Sequence, residues 1–343
     1  MALTRYSEGD VVISTDKVTT STWTNNTNNL TTNFTSSTQA IFNSPTSSGQ
    51  FYLDVFQAVT SSTTAEIQYA VAYGNRVGSG SPDFTNDTGS FGLGASRTIY
   101  NQYRQLVFGD EAQNFTFSTH TPDDIYVINV NRSRFKHSLK PGTLNLHLSA
   151  SNIGGTHLLK LTDDSVSSTG SAVITNLGRQ FNLVSGSNGL TSGSNINQVA
   201  NSSSYGFFYP DSGIIILNPD NFGGGLTPAR NNGISTNSDR NHQKLYNHIR
   251  DAATFILDSD EKITSQYYFT RAKNNEYNYT TNPSFQDENG NLNFTSMIDN
   301  PQVYITTVGL YNDEGALVAV AKLSQPVAKD FTKEALIRVK LDY

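Results

Sequence analysis

Three apolar stretches stand close together in this sequence: Val303–Tyr311 (VYITTVGLY), residues 316–323 (ALVAVAKL) and residues 336–343 (LIRVKLDY). Residues 312–315 (NDEG) separate the first two and predict a turn, because the glycine accepts a positive φ. The third stretch alternates strictly. Its first face carries Ile337, Val339, Leu341 and Tyr343, and its second carries Arg338, Lys340 and Asp342. A period of two indicates a half-buried antiparallel strand. We therefore expect the three stretches to form a three-stranded meander that is an essential structural part of the fold.

The rest of the chain reads as further short strands with two amphipathic helices. Apolar spacing predicts helices at residues 96–108, with Ser96 as N-cap and Gly109 as the stop, and at residues 239–257. A hairpin is predicted where residues 205–209 and 214–217 flank the turn-forming sequence Pro-Asp-Ser-Gly. Together these features predict a β-rich α+β fold of antiparallel sheets with a small β-sandwich-like insertion.

The predicted domain organisation has three parts. Residues 1–50 read as an extended polar N-terminal arm, because 26 of the 50 are Ser, Thr or Asn. Residues 51–123 and 205–343 form a main α+β domain that ends in the meander. Residues 124–204 form a β insertion whose last part, 186–204, is a Gly/Ser/Asn-rich linker. The arm is either a flexible strap or a segment that lies on a partner protein.

Composition limits the function. Charged residues make up 15% of the chain, and 19 Phe and 17 Tyr supply the apolar surface that a disordered chain lacks. The net charge of −6 argues against a nucleic-acid partner. The chain has no cysteine, which excludes disulfides and thiolate chemistry, and it has no apolar run long enough to predict a membrane span. The one basic cluster, Arg132, Arg134, Lys136 and Lys140, is better explained as a solvated strand face than as a phosphate track.

A search for catalytic and metal-binding patterns finds no complete one. Phosphate-loop, serine-elbow and zinc-protease motifs are absent from the sequence. His242 and His248 point to different helix faces, and His147 could meet His157 across a hairpin, but a third ligand is not evident. The acidic stretch from Asp287 lacks the glycine and glutamate of a calcium loop. A pair of carboxylates brought together by the fold stays an open alternative. We therefore expect a protein that is not an enzyme and that needs no cofactor or metal.

The stretch from Val308 to Leu341 resembles a known family. Its sequence VGLYNDEGALVAVAKLSQPVAKDFTKEALIRVKL is similar to the GLYD-x-x-G-x-LvAva-x-x-x-P-x-x-K pattern of baseplate-attached proteins in contractile phage tails, among which tail-fibre attachment regions are best known. Residues 206–218 (GFFYPDSGIIILN) and the helix after them resemble large tail proteins of marine T4-like phages. The resemblance implies a role in the virion tail and a chain assembled in the cytoplasm of the bacterial host. It implies no catalytic residue.

The resulting functional hypothesis is a non-enzymatic structural subunit of the tail, at the baseplate or where a fibre attaches. Its expected partners are other tail or baseplate proteins and copies of itself. The alternative is a receptor-binding fibre or spike component whose Tyr/Asn-rich loop at residues 274–282 contacts host glycans or protein. Four aromatic residues are candidate interface anchors: Trp23, Tyr277, Tyr279 and Phe285. For Trp23, an ordinary core position is an equally good interpretation.

Overall fold

A computed structural model describes residues 4–36, 52–81, 94–150, 157–167, 172–191, 204–222, 224–230, 241–278 and 283–343. The chain forms two compact units. Met1–Lys17 and Lys262–Tyr343 make up the first, here named the terminal unit, and Val18–Glu261 makes up the second, named the central unit. Antiparallel sheets dominate, with three helices in the described residues, so the predicted β-rich α+β fold class is confirmed.

The strands and helices are numbered here in chain order. The strands are β1 (Val11–Ser21), β2 (Tyr52–Phe56), β3 (Ile67–Asn75), β4 (Asp124–Val130), β5 (Ser138–Leu139), β6 (Asn145–Ala150), β7 (His157–Asp163), β8 (Val173–Thr175), β9 (Gly178–Ser187), β10 (Leu190–Thr191), β11 (Gly206–Tyr209), β12 (Ile214–Leu217), β13 (Phe255–Ile256), β14 (Asp258–Ala272), β15 (Val303–Tyr311), β16 (Leu317–Lys329) and β17 (Ala335–Asp342). The helices are α1 (Ala95–Phe108), α2 (Asn241–Ala252) and α3 (Ser296–Asp299).

One large antiparallel sheet builds the central unit and curls into a half-barrel. Its strands follow the order β13-β6-β7-β9-β11-β12-β4-β3-β2, and β8 and β10 pair with β9. This strand order differs from the predicted division into a main domain and an insertion. Strand β4 lies in the expected insertion, yet it pairs with β12 on one side and with β3 on the other. The described strands of the expected insertion therefore share a sheet with the segments on either side of it, because strand pairing reaches across long stretches of sequence that local patterns do not connect.

Both faces of this sheet are covered, which explains why its central strands are apolar throughout. All eight residues of β11 and β12 are buried. The predicted hairpin between them forms, and Gly213 adopts φ 72° in its turn. Helix α1 buries Ile99, Tyr100, Tyr103 and Val107 on one face of the sheet. It ends as predicted at Gly109 (φ 69°), whose N–H donates to the Gln105 carbonyl at 2.9 Å.

Both helices differ from the predictions at one end. Gly94, not Ser96, is the N-cap of α1. The Ser96 hydroxyl lies inside the helix and donates to the Ser79 carbonyl at 2.9 Å. Helix α2 ends at Ala252, because Ala253 adopts a left-handed conformation (φ 48°) and the chain continues as β13, which pairs with β6. The helical spacing of residues 253–257 therefore falls on a turn and the short strand β13, and it is Phe255 and Leu257 that are buried there.

The described part of the N-terminal arm is structured. Strand β1 takes up eleven residues of the arm, and Leu30 is buried beyond it. Phe34 exchanges backbone hydrogen bonds of 2.8 Å with Phe56 in both directions. Residues 18–36 therefore belong to the central unit. Their Ser, Thr and Asn side chains did not prevent this, because backbone pairing needs no apolar side chain. Residues 37–50 lie outside the described residues.

In the terminal unit, the prediction of a three-stranded meander is wrong about the partner of its last strand. Strands β15 and β16 pair as expected, but β17 pairs with β14 and not with β16. The predicted buried face of β17 is confirmed at the start of the strand, where Ile337 and Val339 are buried. The alternation weakens towards the end, where Leu341 is half-buried and Tyr343 is 67% exposed. A period of two identifies the face of a strand but does not identify the neighbouring strand.

The pairing of β15 with β16 contains a large bulge. The register runs from Tyr311↔Leu317 to Thr307↔Lys322 and resumes at Ile305↔Val327. Residues 323–326 therefore face a single residue on β15, which bends this long strand pair. Among the described strands these two form a sheet of their own.

Candidate protein interface on the terminal unit

The hairpin of β15 and β16 has one covered face. Val308 and Leu310 are buried there and pack with Ile337 and Val339 of β17. Half-buried residues complete this small cluster: Tyr268, Ile305, Ala319, Ala321, Leu323 and Leu341. Burial of this face holds the hairpin on the terminal unit.

The opposite face of the hairpin is apolar and exposed. We name it the outer face and define it by Tyr304, Tyr311, Leu317, Val318 and Val320, which are 62%, 40%, 53%, 67% and 58% exposed. Single exposed apolar residues are ordinary, but five on one strand pair are not. The sequence itself indicates apolar side chains on both faces, because residues 316–321 are apolar at every position. A strand with only one buried face needs an apolar residue at every second position.

Packing within the outer face gives it a defined shape. Tyr311 and Leu317 are cross-strand partners, and both lie over Gly309. A Cβ atom at Gly309 would lie 3.0 Å from Tyr311 Cε2 and 3.3 Å from Leu317 Cδ1. The glycine therefore leaves room for the two side chains to rest on the sheet. Lys322, opposite Thr307, contributes charge at the edge of this region. A surface rich in tyrosine and poor in charge has the composition of the centre of a protein interface.

The turn at the tip of the hairpin forms as the sequence predicts. The Asn312 side chain accepts a hydrogen bond from the Ala316 N–H at 2.7 Å, and the Asn312 carbonyl accepts from Gly315 at 3.0 Å. Gly315 adopts φ 82°. This turn places Leu317 opposite Tyr311 and thereby sets which residues reach the outer face.

The structure separates the four predicted anchor residues. Trp23 lies in the core of the central unit at 2% exposure, and its Nε1–H donates to the Phe255 carbonyl at 2.7 Å. The alternative interpretation of Trp23 as a core aromatic is therefore the one the structure shows. Tyr279 lies outside the described residues. Phe285 is half-buried against Phe294, with 5.0 Å between ring centroids.

Tyr277 is the predicted anchor that is both described and exposed. Its exposed fraction is 40%, and its hydroxyl lies 2.8 Å from Thr4 Oγ1. Its backbone is left-handed (φ 55°), which is uncommon for a residue with a side chain. Contacts of the loop must offset the free-energy cost of this backbone conformation. The loop therefore determines the direction in which the Tyr277 ring points.

The end of β16 leads into an acidic turn. The Asp330 carboxylate accepts hydrogen bonds from the Thr332 hydroxyl and from the Thr332 N–H, at 2.6 Å and 2.8 Å, and Lys333 Nζ lies 3.1 Å away. The Thr332 hydroxyl and then the Lys333 ammonium stabilise the charged form and lower the pKa of Asp330 to about 2. Asp330 is therefore ionised at neutral pH and fixes this turn.

The histidines do not form a metal site among the described residues. The register places Lys160 opposite His147 and Ala150 opposite His157, so the two histidines are not cross-strand partners. Burial and then the charge of Lys160 lower the pKa of His147. His120 Nε2 lies 2.8 Å from Asp220, and Ser149 is the hydrogen-bond partner of His248. Within the described ranges, no three His, Asp or Glu side chains cluster as metal ligands.

The acidic and basic clusters are engaged in local structure. Asp287 accepts hydrogen bonds from Asn289 and Asn291 and forms a turn. Arg132–Arg134 is a single 3-10 turn, so the predicted basic strand face is wrong there, and Arg134 pairs with Glu66 at 2.6 Å. Lys140 Nζ donates to Thr19 at 2.7 Å.

A buried carboxylate that sequence reasoning missed lies in the central unit. Asp124 is fully buried and accepts hydrogen bonds from Tyr73 (2.5 Å), Asn75 (2.6 Å) and Arg230 (2.5 Å). The Arg230 guanidinium also reaches Asp220 at 3.0 Å. Both oxygens of Asp124 are thus occupied by donors of the protein, which is the arrangement of a structural cross-link. Its four members come from three distant parts of the chain, so no local pattern marks them.

Comparison with known proteins finds no matching family model, no similar curated protein and no similar solved structure. Across the described residues, none of the helices combines the length and the apolar character that crossing a membrane requires. The outer face of the hairpin is the feature with the clearest functional character.

Proposed function

We propose that this chain is a non-enzymatic structural subunit of a contractile phage tail, at the baseplate or a fibre attachment point. Its terminal unit binds neighbouring tail or baseplate proteins or further copies of the chain. The particle is assembled in the cytoplasm of the bacterial host. The exposed outer face of the β15–β16 hairpin is the observation that carries the proposal, since exposure of this apolar surface has a cost that a partner would remove.

Two further features support the same function. All of the outer face except Tyr304 lies within the stretch that resembles baseplate-attached proteins, so the resemblance and the exposed surface coincide at residues 311–320. The inner face of the hairpin is anchored on β17, so the outer face is presented on ordered strands. A surface that is already ordered loses little conformational entropy on binding.

A matched pair of lysine substitutions tests the proposal. Val320→Lys adds a charge to the outer face, and Ile174→Lys adds the same charge to a residue of the central unit that is 75% exposed. Each variant is expressed in host cells infected with a phage that lacks the natural chain, and its copies per purified particle are counted. We expect Val320→Lys to lower incorporation about tenfold or more, because a buried unpaired charge costs several kcal/mol. Ile174→Lys should be incorporated normally.

Two results would contradict the proposal. Equal incorporation of both variants would remove the outer face from the interface. Absence of the natural chain from purified particles, judged by antibody labelling of the tail, would remove the structural role altogether. Both variants should show the melting temperature of the natural chain, because both positions are exposed.

The receptor-binding alternative is favoured by one observation, the exposed ring of Tyr277 on a loop rich in asparagine. Aromatic rings with nearby amides suit contact with sugars. Under this alternative the purified chain binds host cells, and Tyr277→Ala removes the binding while Val320→Lys retains it. A tail subunit of the first kind gives no cell binding.

A further inference from the structure

Lys329, the last residue of β16, is completely buried, and no carboxylate is among its hydrogen-bond acceptors in the described residues. Its Nζ donates to Asn278 Oδ1 at 2.8 Å, to the Asn274 carbonyl at 3.0 Å and to the Asp330 carbonyl at 3.1 Å. An ammonium group has three N–H donors, and here each has an oxygen acceptor. Neutral oxygens therefore surround this ammonium, as they would surround a bound cation.

Two of the three acceptors belong to one loop, residues 274–278. Apart from Tyr277, the side chains of this loop are polar, and Tyr277 is 40% exposed. Burial of apolar surface can therefore contribute little to the order of the loop. One hydrogen bond within the loop ends on the same atom that Lys329 holds, because the Asn274 carbonyl also accepts from Asn278 Nδ2 at 2.7 Å. Removal of the ammonium would take away the donor to Asn278 Oδ1, whereas the Asn274 and Asp330 carbonyls would each keep one other donor.

We propose that Lys329 is a positioning residue that acts as an internal cation, ordering residues 274–278 and fixing the direction of the Tyr277 ring. The loop is tied through this side chain to the end of β16, the strand that also carries Leu317, Val318 and Val320. The role of Tyr277 as a contact residue rests on the proposed function, whereas the dependence of the loop on Lys329 does not. The same lysine closes the P-x-x-K part of the resemblance stretch, where spacing alone gives it no physical role.

Chemical rescue tests this role. Lys329→Ala leaves a space that propylammonium, which has the missing carbons and the charge, can fill. Hydrogen exchange is measured by mass spectrometry on the isolated chain. We expect amides of residues 274–278 to exchange about tenfold faster or more in the variant, and propylammonium to restore slow exchange. Propanol, of the same length but uncharged, should not restore it. Lys322→Ala, at an exposed position of the same strand, is the matched control and should leave the loop unchanged.

Unchanged exchange in Lys329→Ala, or equal rescue by propanol, would overturn the proposal, because the loop would then depend on packing and not on the cation. If Lys329→Ala does not fold, Asn278→Ala removes one acceptor and keeps the lysine. It should open the same loop, and unchanged exchange in this variant would also overturn the proposal. No partner protein takes part in these measurements. Failure here is thus distinguishable from failure of the particle assay, which tests the proposed function.

Discussion

Two hairpins in this chain have similar composition and opposite surroundings. Residues 206–217 form β11 and β12, whose eight residues are all buried, and their outer neighbours are β9 and β4. Strands β15 and β16 are also apolar, but among the described strands they pair with each other alone. The difference shows that apolar sequence by itself does not separate a core strand from a strand with an exposed apolar face. The number of covered faces does, and that number is a property of the fold.

The largest expected effect is a loss of folding stability when a side chain of the buried β11–β12 hairpin is truncated. Phe208 is 0% exposed in the core of the central unit, so Phe208→Ala should lower the free energy of unfolding by about 3–5 kcal/mol. Urea denaturation measures this value. A loss below about 1 kcal/mol would mean that the surrounding side chains close the cavity, and the contrast between the hairpins would then be smaller than burial indicates.

A smaller effect is expected on the covered face of the exposed hairpin. Leu310 is 6% exposed, but several residues in its cluster are half-buried and can move into the vacated space. Leu310→Ala should therefore cost about 2 kcal/mol, the lower end for such a substitution. Leu317→Ala, on the outer face at 53% exposure, is the control and should cost much less. Equal losses would show that both faces are covered in the isolated chain.

The acidic turn after β16 should respond to pH. The pKa of Asp330 is lowered from 3.8 to about 2, so its contacts stabilise the folded chain above the ordinary value and are lost as pH falls towards about 2. The natural chain should therefore melt at a higher temperature than Asp330→Asn near neutral pH. This difference should shrink as pH falls through about 2 and vanish below that value. A difference that is constant over this range would indicate that the carboxylate charge has no part in it.

The smallest expected effect concerns the outer face alone. Val318 is 67% exposed, and Val318→Thr keeps its shape while adding a hydroxyl. The free energy of unfolding should change by less than about 0.5 kcal/mol. Val308→Thr makes the same change on the buried face, where an unpaired hydroxyl should cost about 1–3 kcal/mol. Similar costs at both positions would contradict the assignment of the two faces.

Local patterns predicted local structure well. The positive φ of Gly109, Gly213 and Gly315 occurs where helix-stop and turn signals required it. The alternation that starts at Ile337 identified its buried face. Such features depend on residues a few positions apart, whose steric preferences are readable in sequence.

Long-range pairings were not predictable in the same way. Strand β17 pairs with β14, which lies more than sixty residues earlier in the chain. The Asp124 carboxylate accepts a hydrogen bond from Arg230, which lies 106 residues later. Trp23 stands in a polar segment, yet Phe255 and Tyr69 surround its ring, with 4.8 Å and 6.2 Å between centroids. The outer face was missed for a related reason. Sequence shows that residues 316–321 are apolar, but only the pairing shows that one of their faces stays uncovered.

The bulge at residues 323–326 has a consequence for solubility. An exposed strand edge beside apolar side chains is a template on which further chains can add by edge-to-edge pairing. Pro326 lies in this bulge and has no N–H to donate to an incoming strand. The irregular backbone and the proline together interrupt the free edge of β16 halfway along its length. The hairpin can therefore keep an exposed apolar face while its edge resists growth into a fibril.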